Sequence, residues 1–152
     1  MEKDFVPYEE ALALKELGFD EPCFAVYFNT TQQLYFDKYI NEFNKDVRTL
    51  APTFSQAFRW FRDKRGLVSW ISFRIDLKKK YLWYITDVKN IAARDGDYIF
   101  DILIESYEEA ELACLKKLIE IAKQLIADTS QRISDEIDKM VIEEMIKIAK
   151  NK

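Results

Sequence analysis

The 152-residue chain is 49% apolar and 33% charged, with a net charge of −4, the balance of one globular domain rather than of a disordered or membrane-spanning chain. A chain of this size buries about 68–70% of its unfolded surface, so it needs no disulfide or metal staple. It holds 11 Phe, 8 Tyr and 3 Trp but no histidine, which excludes Ser-His-Asp and Cys-His catalysis, His-ligated zinc and imidazole acid–base chemistry.

The first predicted element is a helix over Pro7–Leu17. Pro7 suits the first turn, Glu9 and Glu10 complement the N-terminal dipole, and Gly18 supplies the stop. After Glu21-Pro22, the run Cys23–Phe28 is aromatic and β-branched, the composition of a strand. Residues 29–50 are ambiguous: Gln33–Tyr39 reads either as a short strand pairing back through Asn29-Thr30-Thr31 or as the first turn of a helix. Thr53-Phe-Ser-Gln56 is a capping-box pattern, and Phe54, Ala57, Phe58 and Phe61 follow at helical spacing before Gly66 ends the helix. Three alternating segments, Leu67–Ile75, Tyr81–Val88 and Tyr98–Ile104, then predict an antiparallel meander. Asp-Leu-Lys-Lys-Lys joins the first two, and an Asp95-Gly96 turn signal precedes the third.

Ser106-Tyr-Glu-Glu109 repeats the capping-box pattern and opens a helix predicted to run to about Ala127. Cys114, Leu118, Ile121 and Leu125 form one stripe, and Leu112, Leu115, Ile119, Ala122 and Ile126 an adjacent one. Together they are wider than the ~100° face of a helix with a single neighbour. The cluster Asp128-Thr129-Ser130 predicts a cap for a last helix from about Ser130 to Lys150. Its Ile137, Val141, Met145 and Ile148 face inward, while Glu136, Lys139, Glu143, Lys147 and Lys150 form the polar side. Ile133, Met140, Ile142 and Ile146 lie beside the inward stripe. That surplus either packs within the chain or joins copies of it.

Cys23 and Cys114 lie far apart in apolar contexts without a CxxC spacing, so both are read as buried thiols in a reducing compartment. The acidic N-terminus has no apolar signal-peptide core, and the longest apolar run, Cys23–Phe28, is six residues, far short of the ~20 that span a bilayer.

Charge is unevenly placed. Residues 59–80 hold eight basic side chains, Arg59, Arg62, Lys64, Arg65, Arg74, Lys78, Lys79 and Lys80, against Asp63 and Asp76. Acidic residues outnumber basic ones on both sides of this stretch. Trp60, Phe61, Trp70 and Phe73 interleave it, and Tyr81, Trp83 and Tyr84 follow. Cations near phosphates with aromatics for base stacking is the pattern of a nucleotide or single-stranded nucleic-acid site. Strand alternation puts Trp70 and Arg74 on one face of the first meander strand. The plainer reading is a solvated helix face with an Arg59–Asp63 pair, a polar hairpin tip, and tryptophans in the core. Asp95, Asp97 and Asp101 offer oxygen ligands but lack the spacing of a calcium loop, and Asp-Gly is a common hairpin turn. No G-x-G-x-x-G, P-loop or G-x-S-x-G motif occurs, which argues against dinucleotide, NTPase and α/β-hydrolase functions.

Three stretches carry a resemblance: Phe5–Cys23, Ala51-Pro-Thr-Phe-Ser-Gln-Ala-Phe-Arg-Trp-Phe-Arg62, and Tyr107–Glu120, together about a third of the chain. In the same order they are similar to an uncharacterised family of small accessory proteins encoded by tailed bacteriophages of Bacteroides-type hosts. The resemblance implies a phage accessory protein in the cytoplasm of a bacterial host, with no catalytic residues to carry over. The segment from about Ser130 onward has no counterpart in it and reads as an added helix.

The expectation is one α+β domain over residues 1–152: an antiparallel sheet of roughly three to five strands with packed helices and a C-terminal helical pair. The expected function is a non-enzymatic protein-interaction module without a cofactor or metal. Its partner is a host or phage protein, or a second copy through the C-terminal helices, and no membrane is involved. The alternative is a nucleotide or single-stranded nucleic-acid binder using Arg59, Arg62, Arg65, Trp70, Arg74, Lys78, Lys79 and Lys80.

Overall fold

The computed structural model describes residues 2–36, 46–75, 80–87 and 98–150. Two units divide the chain, Met1–Ile119 and Glu120–Lys152. The first helix, α1, spans Tyr8–Glu16, starts after Pro7, and ends where Gly18 takes φ +90°. Beyond it, Phe19 N–H donates to the Leu14 carbonyl (2.9 Å) and Gly18 N–H to that of Lys15 (3.0 Å). This is a Schellman motif, in which the glycine carries the left-handed turn and the two flanking apolar side chains, Leu14 and Phe19, are both buried.

Strands β1 (Ala25–Phe28), β2 (Leu34–Phe36) and β3 (Arg48–Leu50) form an antiparallel sheet in the order β2-β1-β3. The ambiguous stretch after Asn29 thus holds a short strand, with Tyr27 opposite Leu34; its continuation at 37–45 lies outside the described residues. Helix α2 (Phe54–Trp60) begins with the expected capping box. Gln56 N–H donates to Thr53 Oγ1 at 3.2 Å, and Thr53 N–H to Gln56 Oε1 at 3.0 Å. A π-helical turn, Phe61–Arg65, extends it to Gly66, whose φ of +69° ends the helix. The widened turn rotates the buried face: Trp60 and Phe61 go into the core, while Phe58 is only half-buried.

The expected meander follows as β4 (Leu67–Arg74), β5 (Lys80–Asp87) and β6 (Tyr98–Ile104), antiparallel and in sequence order. The expectation of one sheet is corrected, because the described strands form two separate three-stranded sheets. The short strands β1–β3 pair among themselves, and the 3-residue lengths of β2 and β3 leave little ladder with which to join the meander.

The second correction concerns the C-terminal pair. A single helix, α3, runs Tyr107–Lys150 without the break expected at Asp128-Thr129-Ser130. Thr129 and Ser130 instead donate their hydroxyls to the carbonyls one turn back, Leu125 (2.7 Å) and Ile126 (2.9 Å), so residues that often cap a helix are absorbed into its interior. With no glycine or proline nearby, nothing stops the backbone ladder. At its start the helix shows the serine half of the expected capping box, Glu109 N–H donating to Ser106 Oγ at 3.2 Å.

The core of the first unit joins α1 (Ala11, Leu14), α2 (Ala57, Trp60, Phe61), β5 (Trp83, Ile85) and the opening turns of α3. In α3, Cys114, Leu115, Leu118, Ile119 and Ala122 of the predicted stripes are buried, and Leu112 and Ile121 are half-buried. Both cysteines are buried free thiols. Among the described residues no helix is long and apolar enough to cross a membrane.

Candidate functional site

The basic segment is divided by the fold. Arg59 and Arg62 sit exposed on α2 and its π turn; Arg59 reaches Glu21 (3.3 Å) and Arg62 its neighbour Asp63 (3.0 Å). Asp63 is therefore the partner of Arg62, where the helical spacing suggested Arg59. Arg65 turns inward: its guanidinium donates to the Leu17 carbonyl and lies 5.2 Å from the centre of the Trp60 ring. That contact closes the end of α2 onto the end of α1.

Arg74 and Lys80 are register partners at the far end of the β4–β5 ladder. Seven residue steps separate Leu67, two positions after Arg65, from Arg74, roughly 23 Å at about 3.3 Å per residue. Lys80 is paired with Glu105. Trp70 is 44% exposed and stacks on its register partner Tyr84, with centroids 5.0 Å apart and planes 10° from parallel. Trp70, Arg74 and Lys80 thus share one face of the meander, as alternation predicted for the first two, whereas Arg59, Arg62 and Arg65 belong to the end of α2. Trp60 and Trp83, each 2% exposed, are core residues. Lys78 and Lys79 lie outside the described residues, as do Asp95 and Asp97.

The thiols are held neutral. Burial pushes Cys23 up to about 12, with Glu21 adding to the effect. Burial likewise raises Cys114 to about 12 against a hydrogen bond with Ser69 that lowers it. Neither is a nucleophile near neutrality. Among the described residues, no three carboxylates or thiols gather to hold a metal ion.

A cavity of about 320 Å³ lies where Lys15 and Arg48 meet Phe19, Glu21 and Leu50. Arg48 and Leu50 alternate with Thr49 along β3, so they face the same side, and Lys15 Nζ donates to the Arg48 carbonyl at 3.0 Å. Two cations, Lys15 and Arg48, are matched there by Asp20 and Glu21, which leaves the cavity without net charge. Sequence reasoning did not find it, because its residues come from three segments and Arg48 falls in the stretch whose pattern was ambiguous.

The largest departure from an ordinary surface is on α3. Every side chain from Lys123 to Lys147 is exposed. Exposure is 42% at Ile126, 53% at Ile133, 54% at Ile137, 69% at Met140, 52% at Val141 and 65% at Met145. At 100° per residue these six fall along one side of the helix, in phase with the buried Leu115, Ile119 and Ala122. Ile142 and Ile146 add a short strip behind the last turns. Ile137, Val141 and Met145, expected to face inward from a second helix, are uncovered.

Compared with family models, curated proteins and solved structures, the chain matches none of them.

Proposed function

We propose that this chain is a non-enzymatic protein-interaction module whose contact surface is the apolar side of α3 between Ile126 and Met145. The observation that carries this reading is the exposure of those aliphatic side chains in one helical phase. At about 25 cal/mol per Å², the ~1.5–3 kcal/mol of a fully buried aliphatic side chain corresponds to roughly 100 Å² each. The six residues therefore present on the order of 330 Å² of apolar surface, within the ~300–600 Å² of the largest, often functional, patch on a monomer. In this reading the setting is a bacterial host cytoplasm and the partner a host or phage protein.

The test is removal of the surface. A variant with Ile133→Gln, Ile137→Gln and Val141→Gln keeps good helix formers on an exposed side. It is expected to unfold at the same temperature as the parent and to lose all association, read by light scattering. Equal association by parent and variant would refute the reading.

A further inference from the structure

We propose that the cavity between the end of α1, strand β3 and the 19–22 connection binds a free apolar α-amino acid in its zwitterionic form. Its lining carries both charges that such a molecule presents. Lys15 comes from the last turn of α1 and Arg48 from β3, whereas Asp20 and Glu21 come from the connection that follows Gly18. The volume of about 320 Å³ stands at the lower end of the ~300–1,000 Å³ of small-molecule sites, the size for a compact ligand rather than a nucleotide. The cavity lies within the unit Met1–Ile119 and shares no residue with the apolar stripe of α3.

Depth assigns the two ends of the ligand. Arg48 lines the cavity yet is only 5% exposed, so it belongs to the floor. A guanidinium carries five donors in a planar fork that matches a carboxylate, and the pairing is stronger away from bulk water. Lys15, whose Nζ is held to the Arg48 carbonyl at 3.0 Å, brings a second cation to the same end. Asp20 is exposed and Glu21 half-buried, which sets the carboxylates nearer the mouth, where they meet the ligand ammonium. One Glu21 oxygen, Oε2, lies 3.3 Å from Arg59, so Oε1 and Asp20 are the acceptors turned to that task. Phe19, fixed edge-on to Trp60 at 5.7 Å, joins Leu50 and Pro22 in the lining, and these three offer the ligand side chain an apolar surface. The balance of signs decides the class of ligand. A doubly charged phosphate would face Asp20 and Glu21, and a simple amine would face Lys15 and Arg48; only a molecule with both charges satisfies all four.

Calorimetric titration of the full chain with leucine tests the assignment, alongside two analogues that each lack one charge. N-acetyl-leucine has no ammonium and leucinamide no carboxylate, so each leaves charged groups of the site without a counterpart. Leucine is expected to bind and to raise the unfolding temperature as its concentration rises. Both analogues should bind at least about tenfold more weakly, the loss of one charge-assisted hydrogen bond. Glutamate and lysine, whose side chains would place a charge against Phe19 and Leu50, should bind more weakly than leucine as well. Asp20→Asn changes an exposed side chain, so it should unfold at the parent temperature without ligand and lose about tenfold in leucine affinity. Arg48→Met should abolish binding; because Arg48 is buried and its loss could unfold the chain, Lys15→Met at an exposed position is the companion variant and should weaken leucine in the same sense. N-acetyl-leucine or leucinamide binding as tightly as leucine would overturn the zwitterion assignment. So would an Asp20→Asn variant with the parent's affinity, and no detectable binding of leucine or phenylalanine would overturn the site altogether.

Discussion

Replacing Ile137 by glutamine tests how much the exposed stripe contributes. Full burial of an isoleucine side chain is worth about 1.5–3 kcal/mol. Ile137 is 54% exposed, so a partner has roughly half of that left to gain, about 1.2 kcal/mol per chain. An interface that uses the residue twice loses about 2.4 kcal/mol, or roughly a 50-fold rise in dimer Kd. Glutamine is at least as good a helix former as isoleucine, so the loss would not come from a weakened helix. The unit Met1–Ile119 has its own core, and its unfolding temperature should be unchanged. Sedimentation equilibrium over a wide range of loading concentrations measures the first quantity, and thermal unfolding followed by near-ultraviolet dichroism the second. A Kd within about threefold of the parent, at an unchanged unfolding temperature, would refute the assignment of Ile137 to an interface.

Three further outcomes follow from the first unit. Thr53→Ala removes the side-chain acceptor of the α2 capping box and should cost about 1 kcal/mol, seen as a fall of about 2–4 °C in unfolding temperature; Gln56→Ala made on top of it should cost less than it does alone. The thiols of Cys23 and Cys114, raised by burial to about 12, should resist a thiol reagent at pH 8 until the protein unfolds. Because the folded values lie above the ordinary thiol value of 9.0, the unfolded chain releases these protons first; stability is unaffected below that pH and declines as pH rises from 9 toward 12. The hydrogen bond and charge of Lys80 hold the Glu105 carboxyl below its usual value, and Lys80→Met should return it to that value in a carboxyl-carbon NMR titration.

Local signals in the sequence were legible where one residue type answers one backbone requirement. Gly18 and Gly66 end their helices at positive φ, and Thr53 with Gln56 closes a reciprocal cap. The meander was readable because β4, β5 and β6 are long and alternate. What failed depends on comparison between distant segments. The division into two sheets turns on which strands find partners, a tertiary matter that alternation does not encode. Asp128-Thr129-Ser130 misled because the same hydroxyls that cap a helix can bond back one turn inside it. The stripes beyond were correctly located, but what they face could not be read from periodicity. The basic segment looked like one surface because its residues are contiguous in sequence, yet a straight strand carries Arg74 far from Arg65. The cavity at Lys15 and Arg48 left no local trace.

The uncovered stripe also bears on why α3 is a helix at all past Ala122. An isolated helix gains little in water: nucleation is unfavourable, and lengths of ~12–15 residues are marginal even for alanine-rich sequences. From Lys123 to Lys147 no side chain is buried, so tertiary packing contributes nothing there. Local support consists of exposed pairs such as Gln124–Asp128 (2.7 Å), Gln131–Asp135 (2.8 Å) and Lys147–Glu144 (3.4 Å). Pairs of this kind are worth about 0.2–0.5 kcal/mol each. β-branched Ile133, Ile137, Val141, Ile142 and Ile146 weigh against the helix. In the proposed reading, burial of the stripe against a partner supplies the missing stabilisation, which makes association and helix formation beyond Ala122 linked equilibria. Dilution should then lower the 222 nm dichroism in step with the loss of dimer, while near-ultraviolet signals from Trp60 and Trp83 in the first unit stay constant. Helicity that is independent of concentration across the dimer–monomer transition would show that the segment holds its helix alone and break the link.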